Sequence, residues 1–177
     1  MFSYPEVIID QQKMRKAYEA FLNHWHWELH ITLSYFRCVD SRYAFRDAKV
    51  LLNEARHMFR NIKFAAILIY SIYLKDNPHV HILLTSDNDY PKSLSDLDYT
   101  PFGKDSLDWI DLYWQHWKED EATCKVTKDW SNEIICRYIS NSKNITVWDA
   151  DRWEFDYYRP NLLKRLALRQ NKKLINT

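Results

Sequence analysis

Glycine is nearly missing from this chain: Gly103 is the only one in 177 residues. P-loops and dinucleotide-binding turns need several glycines to bring backbone N–H groups against phosphate, so both are excluded. Cysteine is scarce too. Cys38, Cys124 and Cys136 are odd in number, widely spaced and form no CxxC pair. A disulfide framework and a cysteine-based zinc site are therefore not expected, and free thiols in a reducing cytoplasm fit better. No apolar run reaches the length of a membrane-spanning helix. Residues 1–10 carry no basic segment followed by an apolar stretch, so no secretory leader is expected. An excess of charge is also lacking, with 25 Lys and Arg against 24 Asp and Glu, for a net charge of +1. That argues against a chain coated in positive charge for duplex binding and leaves room for a local basic groove.

Aromatic residues are plentiful, at 8 Trp, 12 Tyr and 8 Phe. That is enough to build a core and to spare some rings for stacking on unpaired bases. The length suits one domain over residues 1–177, with an N-terminal helix at about 10–24 and a basic C-terminal tail at about 159–177.

Hydrophobic periodicity gives the order of elements. Residues 10–24 have helical spacing, with Asp10 as a candidate cap. Residues 27–36 alternate: Trp27, Leu29, Ile31, Leu33 and Tyr35 on one side, Glu28, His30, Thr32 and Ser34 on the other. That is a strand with one apolar face. Residues 41–62 form the strongest amphipathic helix, through Ala44, Ala48, Leu51, Leu52, Ala55, Met58, Phe59 and Ile62. An apolar run at 64–74 reads as a central strand, and a turn at 75–78 pairs it with the next strand as a hairpin. A long polar connection follows, then a helix at 105–118 bearing Leu107, Ile110, Trp114 and Trp117 on one side. A short strand at 123–127 and a helix running to about 142 come next. Residues 147–158 are aromatic and acidic, with the character of an extra strand, and the tail from 159 is basic. After the first helix this is a βαββαβ plan, an α+β fold of the ferredoxin-like (split βαβ) type. It is expected to have an antiparallel sheet with helices on one face and a site on the other.

The stretch from Asn77 to Thr85 carries the chemistry. Alternation along a strand puts Val80, Ile82 and Leu84 on the core side and His79, His81 and Leu83 on the other. The two imidazoles then stand about 7 Å apart, from a rise of roughly 3.3 Å per residue. Imidazole binds divalent metals readily. Packing or surface exposure is the plainer account of a strand histidine. In the split βαβ plan, however, the first and third strands are neighbours, which sets Glu28, His30, Thr32 and Ser34 beside this pair.

Three pieces then stand in a recognisable order: Ile31-Thr32-Leu33-Ser34-Tyr35 on the first strand, His79-Val80-His81 on the third, and Tyr138 on a helix 57 residues beyond His81. The arrangement resembles the HUH endonucleases, which include rolling-circle replication initiators, relaxases and single-strand transposases. It is most similar to the small single-tyrosine initiators of plasmids and filamentous phages, including the inovirus replication proteins. The closer likeness lies in residues 79–90, the Trp-rich helix and Arg137-Tyr138-Ile139-Ser140.

The resemblance implies a nickase. His79 and His81 would hold Mg²⁺ or Mn²⁺, Tyr138 would attack a phosphodiester of single-stranded DNA at an origin or hairpin, and a 5′-phosphotyrosine would form. The third metal ligand is expected from Glu28 or His30, with Asp76 of the turn as another candidate. The familiar pattern has a lysine three residues after the tyrosine, where this chain has Asn141. Lys143 is the nearest lysine and lies about 500° around a helix from Tyr138, so either residue is an auxiliary candidate. Thr32, Ser34, Arg137, Lys164, Arg165 and Arg169 are candidate DNA contacts. A host helicase and polymerase are the expected partners of a cytoplasmic monomer or weak dimer that has no membrane association. Two rivals remain: a transposase of the same fold, disfavoured because no glutamine follows Tyr138 nearby, and a DNA-binding module with impaired chemistry.

Overall fold

The computed structural model describes residues 11–60, 62–73, 77–87, 104–118, 121–127 and 154–175. The elements are α1 (Gln11–Leu22), β1 (Leu29–Tyr35), α2 (Ser41–Met58), β2 (Phe64–Tyr73), β3 (Asn77–Ser86), α3 (Lys104–Lys118), β4 (Ala122–Thr127), β5 (Glu154–Tyr158) and α4 (Pro160–Ile175). Among the described residues the architecture is α+β: an open five-stranded sheet in the order β4-β1-β3-β2-β5, with every pairing antiparallel, and four helices. The helix anticipated before residue 142 lies outside the described residues.

One face of the sheet carries the larger core. Leu29, Ile31, Leu33 and Tyr35 of β1, Ala66, Leu68 and Tyr70 of β2, and Val80, Ile82 and Leu84 of β3 pack against Ala44, Ala48, Leu51, Leu52 and Ala55 of α2 and Ile110 and Trp114 of α3. Helix α2 starts where the Asp40 side chain accepts the Tyr43 N–H at 2.7 Å, satisfying one of the amides that a helix start leaves open. The apolar pattern continues to Ile62, but the helix stops at Met58. Phe59 leaves helical geometry, and Ile62 N–H closes a turn on the Phe59 carbonyl at 2.9 Å. Both side chains still pack on the core as turn residues. Trp117, expected among the buried residues of α3, is 37% exposed. Lys118 turns inward instead, with its Nζ 2.7 Å from Asp47 Oδ2 and 3.2 Å from the Tyr43 hydroxyl. Burial opposes the Lys118 charge, but these hydrogen bonds outweigh it and hold its pKa above the ordinary value.

The opposite face is not bare, which corrects the expectation of helices on one side only. Leu22 at the end of α1, Trp25, Trp27, and Leu162, Leu163 and Leu166 of α4 cover Ala65, Ile67 and Ile69 of β2 and Leu83 of β3. Strand β2 is thus buried on both sides, which is why its sequence is continuously apolar rather than alternating. Trp27 also changes sides relative to the alternation pattern. It precedes the first strand residue, and its indole N–H donates to the Leu22 carbonyl at 2.9 Å, so it folds under α1. The Trp25 indole donates to the Leu163 carbonyl at 3.0 Å and ties the chain before β1 to α4. The basic tail is the solvent side of amphipathic α4: Lys164, Arg165 and Arg169 are exposed while Leu162, Leu163 and Leu166 are buried. Among the described residues no helix is long and apolar enough to cross a membrane.

Candidate functional site

The site lies on the second face, beside the cluster that α1 and α4 build there. Strand register brings its residues together. Thr32 of β1 pairs with His81 of β3, Ser34 pairs with His79, and His30 pairs with Leu83. His30 and His81 are therefore diagonal neighbours on one face, close enough for long side chains to meet. Their ring centroids are 5.1 Å apart, and His30 Nε2 lies 3.0 Å from His81 Nδ1, sharing one hydrogen bond. The Thr32 hydroxyl joins both, at 3.2 Å from His30 Nε2 and 3.3 Å from His81 Nδ1.

His79 completes a cluster of three imidazoles. Its ring centroid is 4.7 Å from that of His81, edge to face. The rings thus stand closer than the strand rise alone indicates, because rotation about the side-chain bonds tips them together. On its other side, His79 Nε2 shares a 2.7 Å hydrogen bond with the Ser71 hydroxyl of β2, its register partner.

Burial sets the protonation of the cluster. His30 is 2% exposed, and its pKa is lowered to about 4, first by desolvation and then by the charges of Lys125 and His79. His81 is lowered well below its ordinary value, first by burial and then by His79 and His30. Both rings are neutral at neutral pH, the form that offers a lone pair to a metal ion.

Among the described residues no group of three His, Cys, Asp or Glu side chains is arranged to hold an ion. The side-chain directions give the reason: His79 Nε2 is engaged by Ser71, toward β2, while His30 and His81 meet toward β1. What fits is the pair. Their 3.0 Å separation is that of the hydrogen bond they share, and two neutral imidazoles on neighbouring strands are the donors an ion would draw on there.

The other anticipated residues fall as follows. Glu28 is buried at the end of β1, where its Oε1 accepts the Ser86 backbone N–H at 2.6 Å, a contact that fastens β1 to the end of β3. Thr32 and Ser34 lie on the site face in register with the two HxH histidines. Arg169 is on α4, ion-paired with Asp87. Asp76, Arg137, Tyr138, Asn141 and Lys143 lie outside the described residues. Comparison with family models, with curated proteins and with solved structures finds no match to this chain.

Two groups escaped the sequence reading. Ser71 sits in an apolar run that holds no Asp, Glu or His, but the β2–β3 hairpin places it opposite His79. Lys125 pairs with Thr32 from the other side, and Thr123 pairs with Ser34. The hairpin signal was available for Ser71. No local signal fixes the register of β4, which comes from far along the chain.

Proposed function

We propose that this chain is a metal-dependent endonuclease and strand transferase that nicks single-stranded DNA and rejoins it, as in the initiation of rolling-circle replication. The observation that carries the reading is the cluster of His30, His79 and His81, with Thr32 between two of them, on neighbouring strands β1 and β3. The strand order β4-β1-β3-β2, with α2 and α3 on the opposite face, supports a ferredoxin-like (split βαβ) scaffold to which α1, β5 and α4 are added.

In this reading His30 and His81 are the residues that would hold Mg²⁺ or Mn²⁺, and His79 would join them only by leaving Ser71. Bound there, a divalent ion supplies Lewis-acid polarisation of a phosphoryl oxygen. The protein's own part is to keep His30 and His81 neutral by burial, to aim the imidazoles through the strand register, and to present the Thr32 and Ser34 hydroxyls to the DNA. Tyr138 supplies the nucleophile. Its phenolic oxygen bonds to phosphorus, the bond to the 3′-oxygen breaks, and the proton lost by the phenol balances the one gained by the new 3′-OH. The phosphotyrosine link conserves the phosphodiester energy, so a 3′-OH attacking it reseals the strand without ATP. Such an enzyme would work in the cytoplasm alongside a host helicase and polymerase.

A second reading, a DNA-binding module with impaired chemistry, is favoured by one observation: His79 Nε2 is tied to Ser71 rather than aimed at the His30–His81 pair. One experiment separates the two. The parent and Tyr138→Phe are incubated with single-stranded and hairpin oligonucleotides in Mn²⁺, and covalent adducts are resolved on denaturing gels. The nuclease reading expects a metal-dependent adduct with the parent and none with the variant. Equal cutting by both, or no adduct with either, overturns it.

A further inference from the structure

The site face has a second feature, at its edge. Strand β4 closes one side of the sheet, and its pairing with β1 sets Lys125 opposite Thr32 and Thr123 opposite Ser34. Because Thr32 also pairs with His81, the three residues Lys125, Thr32 and His81 form one row across three strands. Two strand spacings of about 4.8 Å put the Lys125 Cα roughly 10 Å from that of His81, a gap that a four-carbon stem narrows. The neighbouring β4 residues Cys124 and Val126 pack on the core face, so Thr123, Lys125 and Thr127 belong to the histidine face.

Charge makes this placement informative. Among the strand residues of the face whose side chains are described, all are imidazoles, hydroxyls and apolar groups apart from Lys125. Lys125 is exposed, and among the described residues no ion pair neutralises it. An anion at the histidine cluster finds one exposed cation in the same row, with the Thr123 hydroxyl one step along the strand face.

We infer that the β4 edge is a phosphodiester-binding rail, with Lys125 and Thr123 contacting a backbone phosphate of single-stranded DNA laid across β4 and β1 toward the histidine cluster. The ligand class rests on the nucleic-acid reading above. The contact carries no base information, because it is made to the phosphate backbone, which is the same at every base. It adds one charge-assisted hydrogen bond and one counterion's worth of salt dependence.

The test uses the full chain and a single-stranded oligothymidylate in EDTA, so that binding is read without cleavage. Fluorescence anisotropy gives the affinity over a series of salt concentrations for the parent, Lys125→Gln, Lys125→Arg and Lys63→Gln. The last removes an equal charge from an exposed position just before β2. Each phosphate contact to a single strand contributes about 0.7 to the slope of log K against log salt. Lys125→Gln is expected to lower that slope by about 0.7, while Lys125→Arg and Lys63→Gln keep the parent slope. An unchanged slope in Lys125→Gln, an equal fall in Lys63→Gln, or no binding by the parent overturns the inference. The two readings fail separately. Binding without a Mn²⁺-dependent adduct sinks the nuclease and leaves Lys125 judged by its slope. An adduct from a Lys125→Gln protein with the parent's slope and KM sinks the rail and leaves the nuclease.

Discussion

Burial of His30 makes a prediction that can be worked through in numbers. The ring is 2% exposed and keeps its neutral form down to a pKa of about 4, against an ordinary 6.5. In the unfolded chain the same imidazole takes up a proton near pH 6.5. Between those two values the unfolded state binds more protons than the folded state, so stability falls as the pH falls. The stabilisation is fully present above pH 6.5 and is lost progressively down to about 4. The whole loss for this one group is about 3 kcal/mol, at most about 1.4 kcal/mol per pH unit. His81, lowered in the same direction, adds to it. The assay is urea unfolding in EDTA at intervals from pH 7.5 to 4, for the parent and His30→Gln. Carboxylates contribute below about pH 5 in both proteins, so the difference between the two curves isolates the imidazole. Whatever the substitution costs at pH 7.5, the variant's curve should be flatter from pH 6.5 downward. Parallel curves would refute the reasoning, because they would mean that His30 titrates alike in the folded and unfolded chains.

Two further outcomes follow from other contacts. Asp47 is 1% exposed and holds the buried Lys118 ammonium at 2.7 Å. Asp47→Ala leaves that charge without its closest partner and should cost about 3–5 kcal/mol in urea unfolding, so a loss below about 1 kcal/mol would show that Lys118 escapes to water. If the histidine cluster takes up Mn²⁺, the ion should raise the thermal midpoint of the parent, by the equivalent of about 2.7 kcal/mol at a hundredfold excess over Kd. His81→Ala should lose that gain, and an equal gain in both proteins would place the ion elsewhere.

Much of the site was legible because period-two alternation is a local property. His79 and His81 share a face with each other, as do His30, Thr32 and Ser34, whatever the rest of the chain does. The antiparallel hairpin of β2 and β3 was equally readable, since a short turn leaves little choice of partner. Assigning Glu28 and His30 jointly as ligand candidates was as far as alternation could go. Their roles separated only when β1 was laid against β3, which brought His30 to His81 and gave the Glu28 carboxylate to the Ser86 amide.

The amino-acid order by itself determined the kind and order of the described elements from α1 to β4, and which side of β1 and β3 carries the polar groups, because backbone geometry fixes both over a few residues. Tertiary structure alone decided what meets what. It turned Trp27 under α1, closed α4 over a face that the pattern left open, directed His79 to Ser71, and set Lys125 in the row of His81. Each of these depends on register or packing between segments far apart in sequence, where the favourable contact is made by groups that carry no mark of their partner.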